Sequence, residues 1–181
     1  MPVVILQFDR AWALGIFSLT LFGILFFEIG RKRKSQLSLA LNRTFGCVIR
    51  PQENVSFRLT GAPFVLMAAL LLCLLFPPII AATALTITLM GDSAAALIGR
   101  RYGWTRISSK SLEGSLAFFM AGTLAVGCIA WSIQQPMAFI LSGIAAAFVA
   151  AVVELFARLV PLDDNLTVPF AAAYIMWIFL S

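Results

Sequence analysis

Six blocks of apolar residues, separated by short polar segments, constrain this chain more than any other feature of its sequence. Each block approaches the length of about 20 helical residues that crosses the roughly 30 Å hydrocarbon core of a bilayer. Because backbone amide and carbonyl groups must hydrogen-bond internally within lipid, such blocks predict membrane-spanning helices. The predicted spans cover residues 11–29, 62–76, 79–98, 115–133, 137–155 and 166–180.

The composition supports a membrane protein and argues against other classes. Hydrophobic residues make up 61% of the 181 residues and charged residues only 12%, whereas an average soluble domain has about 25% charged residues. The net charge is +5, but membrane orientation and anionic lipids explain basic loops better than nucleic acid does. We predict an all-α integral membrane protein with one domain over residues 1–181 and no nucleic-acid partner.

The distribution of lysine and arginine predicts the orientation of the chain. Eleven of the 13 basic residues lie between spans one and two or between spans three and four. Positively charged loops stay on the cytoplasmic side, so these loops and the segment 158–165 should share that face. The membrane would be the inner membrane of a prokaryote, or the endoplasmic reticulum or plastid membrane of a eukaryote. Apolar residues at helical spacing between 37 and 48 predict a short interfacial helix.

The residue types that are missing restrict the chemistry. The chain has no histidine, which removes the commonest general base and any metal site built on imidazole. Cys47, Cys73 and Cys128 show no metal-binding or redox spacing, so packing is their expected role. Any catalysis must therefore rest on carboxylates, lysine and arginine.

The most informative segment surrounds Asp92, near the end of the third span. A carboxylate in a membrane helix costs free energy to insert, so it indicates a functional site by default. On a helix, Asp92 shares one face with Ala95, Ala96 and Gly99, which leaves room for a metal-bound nucleotide to approach. Gly99 and Gly103 are expected to loosen the loop that follows. Close packing between helices would explain the same small residues.

Basic residues follow this segment. Arg100, Arg101 and Arg106 supply positive charge, and Lys110 precedes a helix whose N-terminal amide groups favour an anion. An acid for Mg²⁺ beside cations for phosphate is the usual equipment for phosphoryl transfer. The arginines could equally act only as membrane anchors.

A second polar cluster lies between the fifth and sixth spans. Together with the acid of the third span, Asp163 and Asp164 could bracket a divalent cation, with Glu154 close by. Local roles compete with this interpretation. Glu154 and Arg158 have the spacing of a helical ion pair, and Asp164 or Asn165 could cap the last helix.

Three polar pieces of the chain follow one another in an order that is more specific than any one of them. They are Gly91-Asp92-Ser93-Ala94-Ala95 with Gly99 and Gly103, Lys110-Ser111 with Glu113-Gly114-Ser115, and Glu154 with Asp163-Asp164-Asn165 before Pro169. In this order, over about residues 50–169, the chain resembles the CTP-dependent lipid kinases. That family includes dolichol kinase, phytol and farnesol kinase and the yeast-type diacylglycerol kinase, and is distantly similar to phosphatidate cytidylyltransferases.

The resemblance implies a kinase that transfers the terminal phosphate of CTP to the hydroxyl of a membrane alcohol, with Mg²⁺ as cofactor. The alcohol would be a dolichol or polyprenol, a phytol-type isoprenoid alcohol or diacylglycerol. The implied catalytic residues are Asp92, Lys110, Glu113 and Asp164; the nucleotide-binding residues are Arg50, Glu53, Ser93, Gly99, Arg100, Gly103, Ser111 and Asn165; and the metal ligands are Asp92, Asp163, Asp164 and Glu154.

Two alternatives stay open from the sequence. Phosphatidate cytidylyltransferases share part of the pattern but end in a different aspartate motif, which makes nucleotidyl transfer the second interpretation. A small transporter would also place acids within the membrane, but it should carry polar groups at mid-depth, and residues 70–76, 79–85 and 139–148 offer almost none. A homodimer is compatible with either enzyme.

Overall fold

The structure is a computed structural model that describes residues 2–7, 9–32, 61–107, 110–157 and 162–181. These ranges contain seven α-helices and one short antiparallel hairpin. The helices are α1 (Pro2–Gln7), α2 (Arg10–Lys32), α3 (Gly61–Leu75), α4 (Pro78–Tyr102), α5 (Leu112–Ser132), α6 (Met137–Leu155) and α7 (Asp164–Leu180), and the strands are β1 (Arg106–Ile107) and β2 (Lys110–Ser111).

The helices confirm the predicted all-α class, and three of them are long and apolar enough to span a membrane. By length and composition, α4, α5 and α6 are each able to cross a membrane. Three further apolar helices are shorter: the Arg10–Phe26 part of α2, α3 and α7. The predicted interfacial helix of the first loop, Arg50, Glu53 and Arg158 lie outside the described residues.

Prolines and side-chain caps set the helix boundaries. Pro78 occupies the first turn of α4, and Pro136 directly precedes α6; proline fits there because the first amides of a helix have no internal partner. Ser111 caps α5 by accepting a hydrogen bond from the Gly114 amide at 3.1 Å. Asp163 caps α7 by accepting one from the Asn165 amide at 3.0 Å.

Two predicted boundaries near the charged segment were wrong. The helix α4 continues to Tyr102, so Gly99 lies within it and does not loosen a loop. The helix α5 begins at Leu112, three residues before the predicted start. Gly99 instead lets α4 pack closely on the start of α5, because a Cβ at this position would lie 3.0 Å from Ser111 Oγ and 3.6 Å from Gly114 Cα.

The hairpin that joins α4 to α5 was not predicted. Its two strands pair Arg106 with Ser111 and Ile107 with Lys110. The Leu112 amide donates to the Thr105 carbonyl at 3.0 Å, which continues the pairing into the first turn of α5. The hairpin therefore fixes Lys110 at the end of the helical bundle.

The central helix of the bundle is α4, which packs against α1, α5 and α7. Its buried face is rich in alanine, including Ala81, Ala82 and Ala84, and small side chains allow neighbouring helices to approach closely. The largest fully buried side chains of the core are Phe17 of α2, Phe118 of α5 and Phe139 of α6. Because α4, α5 and α6 are consecutive and antiparallel, the C-terminal end of α4 meets the first turn of α5 and the last turn of α6.

We expect Gly91→Ala to destabilise the protein, because Gly91 packs directly on the buried ring of Phe118. A Cβ at this position would lie 2.7 Å from three ring atoms, and overpacking of this kind costs about 1–3 kcal/mol. Gly127→Ala is the matched control, since a Cβ there meets nothing within 4 Å. Melting temperatures in detergent should fall for the first variant only, and equal melting of both would contradict this packing.

Candidate active site

A cavity of about 840 Å³ lies where the polar ends of α4, α5, α6 and α7 meet the hairpin. Its walls combine three acidic side chains, three basic side chains and a set of small or polar residues. They are Asp92, Glu154 and Asp164; Arg100, Arg106 and Lys110; and Ala95, Ala96, Gly99, Ser111, Gly114, Ser115 and Asn165.

The α4 wall of the cavity has the arrangement that the sequence predicts. Asp92, Ala95, Ala96 and Gly99 all line it, as their i, i+3, i+4 and i+7 spacing requires. Arg100 lies at the same end, where its Nε donates to the Ala96 carbonyl at 3.0 Å. The Asp92 carboxylate therefore faces the cavity, because the residues that share its face of α4 are too small to fill the space.

Lys110 connects the acids of two other helices. Its ammonium donates to Glu154 Oε1, at the end of α6, and to Asp164 Oδ2, at the start of α7, over 3.3 Å. Burial lowers the pKa of Lys110, but the hydrogen bond and negative charge of Glu154, with the charge of Asp164, outweigh it and raise the pKa overall. Lys110 is therefore charged at neutral pH, and it loses this charge only as the pH rises through its raised pKa.

The two partners of Lys110 differ in burial. The Glu154 side chain is 4% exposed, whereas that of Asp164 is 41% exposed. Removing the partner of a buried charge costs about 3–5 kcal/mol, while a solvent-exposed ion pair contributes only about 0–1 kcal/mol. Ser115 Oγ also donates to Glu154 Oε2 at 3.5 Å. The Lys110–Glu154 pair is thus the structural one, and the Lys110–Asp164 pair is the weaker.

Asp92 differs from the other two carboxylates of the cavity. Glu154 and Asp164 share Lys110, whereas Asp92 has neither an ion-pair nor a hydrogen-bond partner in the described ranges. Its carboxylate lines the cavity in a partly buried position. Among the described residues, Asp92 is therefore the cavity acid that a ligand can reach without displacing a partner.

Several predicted site residues lie away from the cavity lining. Ser93 is exposed, and its hydroxyl donates to the Leu89 carbonyl at 2.8 Å. Gly103 directly follows the last residue of α4, where a Cβ would collide with the Gly99 carbonyl. These two positions shape the helix and its end, and their predicted nucleotide contacts have no geometric support here.

Two of the predicted acids have local partners. Glu113 Oε1 accepts a hydrogen bond from the Thr105 amide at 3.0 Å, so this carboxylate holds the hairpin against α5. Asp163 caps α7 and also accepts from Asn165 Nδ2 at 2.7 Å. Neither lines the cavity, and we give neither a chemical role.

Two cavity residues were not among the predicted binding residues, because the sequence counted Arg106 only as a source of positive charge and Ser115 only as part of a motif. Arg106 lies on β1, and the hairpin brings it to the cavity. Ser115 lies one helical turn after Ser111, and both line the cavity. The i, i+4 spacing of the two serines was a usable signal for Ser115, whereas the position of Arg106 depends on a hairpin that no strand pattern announces.

The cavity fits a cation that arrives with a phosphate better than a preformed metal cage. Within the described ranges, no group of three or more acidic, cysteine or histidine side chains is placed to hold a metal ion. The predicted four-acid set does not assemble, because Lys110 holds Glu154 and Asp163 caps a helix. The possible ligands that remain are Asp92, Asp164 and the side-chain amide oxygen of Asn165. Mg²⁺ commonly uses one or two carboxylates together with substrate phosphates.

Comparisons with known proteins find relatives but no assigned activity. The chain is 26% identical over 146 residues to an uncharacterized protein of Rickettsia prowazekii, covering 80% of this chain and 71% of that protein. It is 36% identical over 89 residues to an uncharacterized protein of Methanocaldococcus jannaschii, covering 48% of this chain and 41% of that protein. No family model matches the sequence, and no solved structure matches it. The fold and cavity define a helical bundle that has three helices long and apolar enough to cross a membrane and a charged site at one end.

Proposed function

We propose that this chain is a CTP-dependent lipid kinase that transfers the terminal phosphate of CTP to the hydroxyl of a membrane alcohol. The acceptor would be a dolichol or polyprenol, a phytol-type isoprenoid alcohol or diacylglycerol. The observation that carries the proposal is the cavity, in which a carboxylate on a face of small residues, without a partner in the described part of the chain, adjoins three basic side chains. The choice of CTP rests on the resemblance over residues 50–169.

The basic side chains of the cavity suit the phosphates of a nucleotide. Arg100 and Arg106 line it without a carboxylate partner in the described part of the chain. Arginine binds phosphate oxygens with several parallel hydrogen bonds and keeps its charge at all relevant pH values. Lys110 adds a third positive charge beside the first turn of α5, where helix amides also favour an anion.

Asp92 is the residue that we assign to the lipid hydroxyl. It lies on α4, and the exposed apolar side chain of Leu89 shares this face of the helix at i, i+3 spacing. An alcohol in the bilayer could therefore rest its chain on this surface and bring its hydroxyl to the cavity. The Asp92 carboxylate there would accept the hydroxyl proton as the oxygen bonds to the terminal phosphorus of CTP, while the bond from that phosphorus to the bridging oxygen breaks and CDP leaves.

Mg²⁺ is the cofactor of this proposal. Asp164, with the side-chain amide oxygen of Asn165, would hold Mg²⁺ at the nucleotide phosphates. When bound, the ion would neutralise charge on those phosphates during transfer.

The proposal includes six spans with the cavity on the cytoplasmic side. In addition to the three long helices, α2 has 23 residues, and α3 and α7 have 15 and 17; the two shortest therefore have lengths of about 22 and 25 Å at 1.5 Å per residue. Helices this short can span where the bilayer thins or flanking residues complete the crossing. The excess of basic residues in the loops on the cavity side favours the cytoplasmic orientation.

This orientation predicts the labelling of single cysteines by an impermeant thiol reagent, in a chain whose native cysteines have been replaced. Cysteines at Gln135 and Ser181 should react from outside intact cells, because both lie at the end opposite the cavity. A cysteine at Gln36 should react only after the membrane is opened. Labelling at Gln36 in intact cells would reverse the proposed topology.

The function is tested by incubating the purified protein with CTP or ATP, Mg²⁺ and a panel of lipid alcohols, followed by mass spectrometry of the lipids. We expect a lipid monophosphate that forms with CTP and does not form in excess EDTA. The panel should include phosphatidate, because a CDP-lipid product would identify nucleotidyl transfer. Absence of any phosphorylated product from all alcohols, with folded protein, would overturn the proposal.

A further inference from the structure

We propose that Lys110 is an exchangeable counter-ion that couples anion binding to cation binding in this cavity. An incoming phosphate takes the place of Asp164 on the Lys110 ammonium, and the released Asp164 then becomes a ligand for a divalent cation. The inference rests on the proposed function, because it states the order in which the same site binds its phosphate and its metal.

The geometry of Lys110 supports the exchange. Its ammonium bridges two carboxylates that come from different helices, Glu154 of α6 and Asp164 of α7. Both carboxylates line the cavity, so a phosphate that enters it can reach the same ammonium. Arg100 and Arg106 line the same cavity and would hold the other oxygens of that phosphate.

The difference in burial decides which partner is released. Glu154 is almost completely buried and also accepts from Ser115 Oγ, so its separation from Lys110 would leave a charge inside the protein. Asp164 is half-exposed and makes the longer contact, at 3.3 Å. A phosphate therefore displaces Asp164 at little cost, while Glu154 continues to anchor the lysine.

The same arrangement explains why the acids do not form a preformed metal site in the described part of the chain. The positive ammonium lies between Glu154 and Asp164 and would repel a cation that approached either one. Once a phosphate neutralises this ammonium, Asp164 and the phosphate oxygens together present the hard oxygen ligands that Mg²⁺ or Mn²⁺ requires. Anion and cation binding should then strengthen each other by the same factor.

The test measures Mn²⁺ binding to the detergent-solubilised full chain, from the electron paramagnetic resonance signal of free Mn²⁺, without nucleotide or lipid. The variant Lys110→Met/Glu154→Gln removes the ammonium and its buried counter-charge together, so no buried charge is left unpaired. We expect this variant to bind Mn²⁺ roughly 5- to 150-fold more tightly than the wild type, the usual range of coupling between two sites. Adding Asp164→Asn should abolish the gain. Equal affinity of variant and wild type, or a gain that survives Asp164→Asn, would overturn the exchange.

A second measurement needs no change at Lys110 and covers the case in which the double variant does not fold. In the wild type, inorganic phosphate should tighten Mn²⁺ binding, and Asp164→Asn should remove this effect. Asp163→Asn is the neighbouring control, because Asp163 is a helix cap and asparagine caps equally well. Complexes of Mn²⁺ with phosphate in solution contribute equally to all three proteins. Loss of the effect in both variants, or in neither, would contradict the assignment to Asp164.

The two claims fail separately. If phosphate tightens Mn²⁺ binding in a protein that phosphorylates no lipid, the proposed function is contradicted and the counter-ion exchange is supported. If the protein phosphorylates lipid but phosphate does not tighten Mn²⁺ binding, the proposed function is supported and the counter-ion exchange is contradicted.

Discussion

Replacing Asp92 by asparagine should lower lipid phosphorylation by about 100-fold or more, the range that a positioned proton acceptor contributes, while the protein stays folded. Asparagine keeps the shape of the side chain but cannot accept the hydroxyl proton. In the described ranges Asp92 has no ion-pair partner, so its loss leaves no opposite charge uncompensated there. A neutral residue should also ease insertion of α4, since an aspartate at a helix centre costs about 2.5 to 3.5 kcal/mol.

The measurement for Asp92→Asn pairs activity with melting temperature on the same preparation. Asp9→Asn is the matched control, because it makes the same chemical change at an exposed position just before α2. Wild-type activity in a stable Asp92→Asn protein would remove Asp92 from the site. A joint fall in stability and activity would show that this carboxylate has a structural partner.

Lys110→Met should reduce both stability and activity, because Lys110 has a structural and a chemical role. The substitution strips the buried Glu154 carboxylate of its partner, at a cost of about 3–5 kcal/mol. Adding Glu154→Gln removes that buried charge, so the double variant should regain most of the lost stability. It should not regain activity, because the positive charge that faces the phosphates is still missing.

Arg101→Met is the control for loss of a basic residue near the site. Its guanidinium lies 5.4 Å from the centre of the Tyr102 ring, and it does not line the cavity. The single Lys110→Met variant, the double variant and Arg101→Met should be compared by melting temperature in detergent and by lipid phosphorylation. A double variant with wild-type activity would show that Lys110 serves only the fold.

The sequence predicted those parts of the fold and site that depend on local spacing. The apolar blocks predicted six helices whose cores the structure reproduces, because burial in lipid or protein depends on segment composition. The face of α4 that carries Asp92 was also predictable, since helical periodicity alone places Ala95, Ala96 and Gly99 beside it.

The partners of the charged residues were not predictable from spacing. The structure pairs Glu154 with Lys110, which is 44 residues away, whereas local spacing offered Glu154 only Arg158 as a partner, and Arg158 lies outside the described residues. That contact depends on how α6 packs beside the hairpin, which no local pattern encodes. Glu113 shows the converse, because its place in a motif suggested chemistry while its backbone hydrogen bond gives it a local structural role.

The most direct test of the account uses CTP that carries a radioactive label on either the α- or the γ-phosphate. Purified wild-type protein is incubated with each form, Mg²⁺ and the lipid alcohols, and label in the extracted lipid is counted, with Asp92→Asn as the inactive reference. The account predicts that γ-label enters the lipid, that α-label does not, and that the asparagine variant transfers neither. Transfer of the α-label, or of no label by folded wild-type protein with any alcohol, would contradict it.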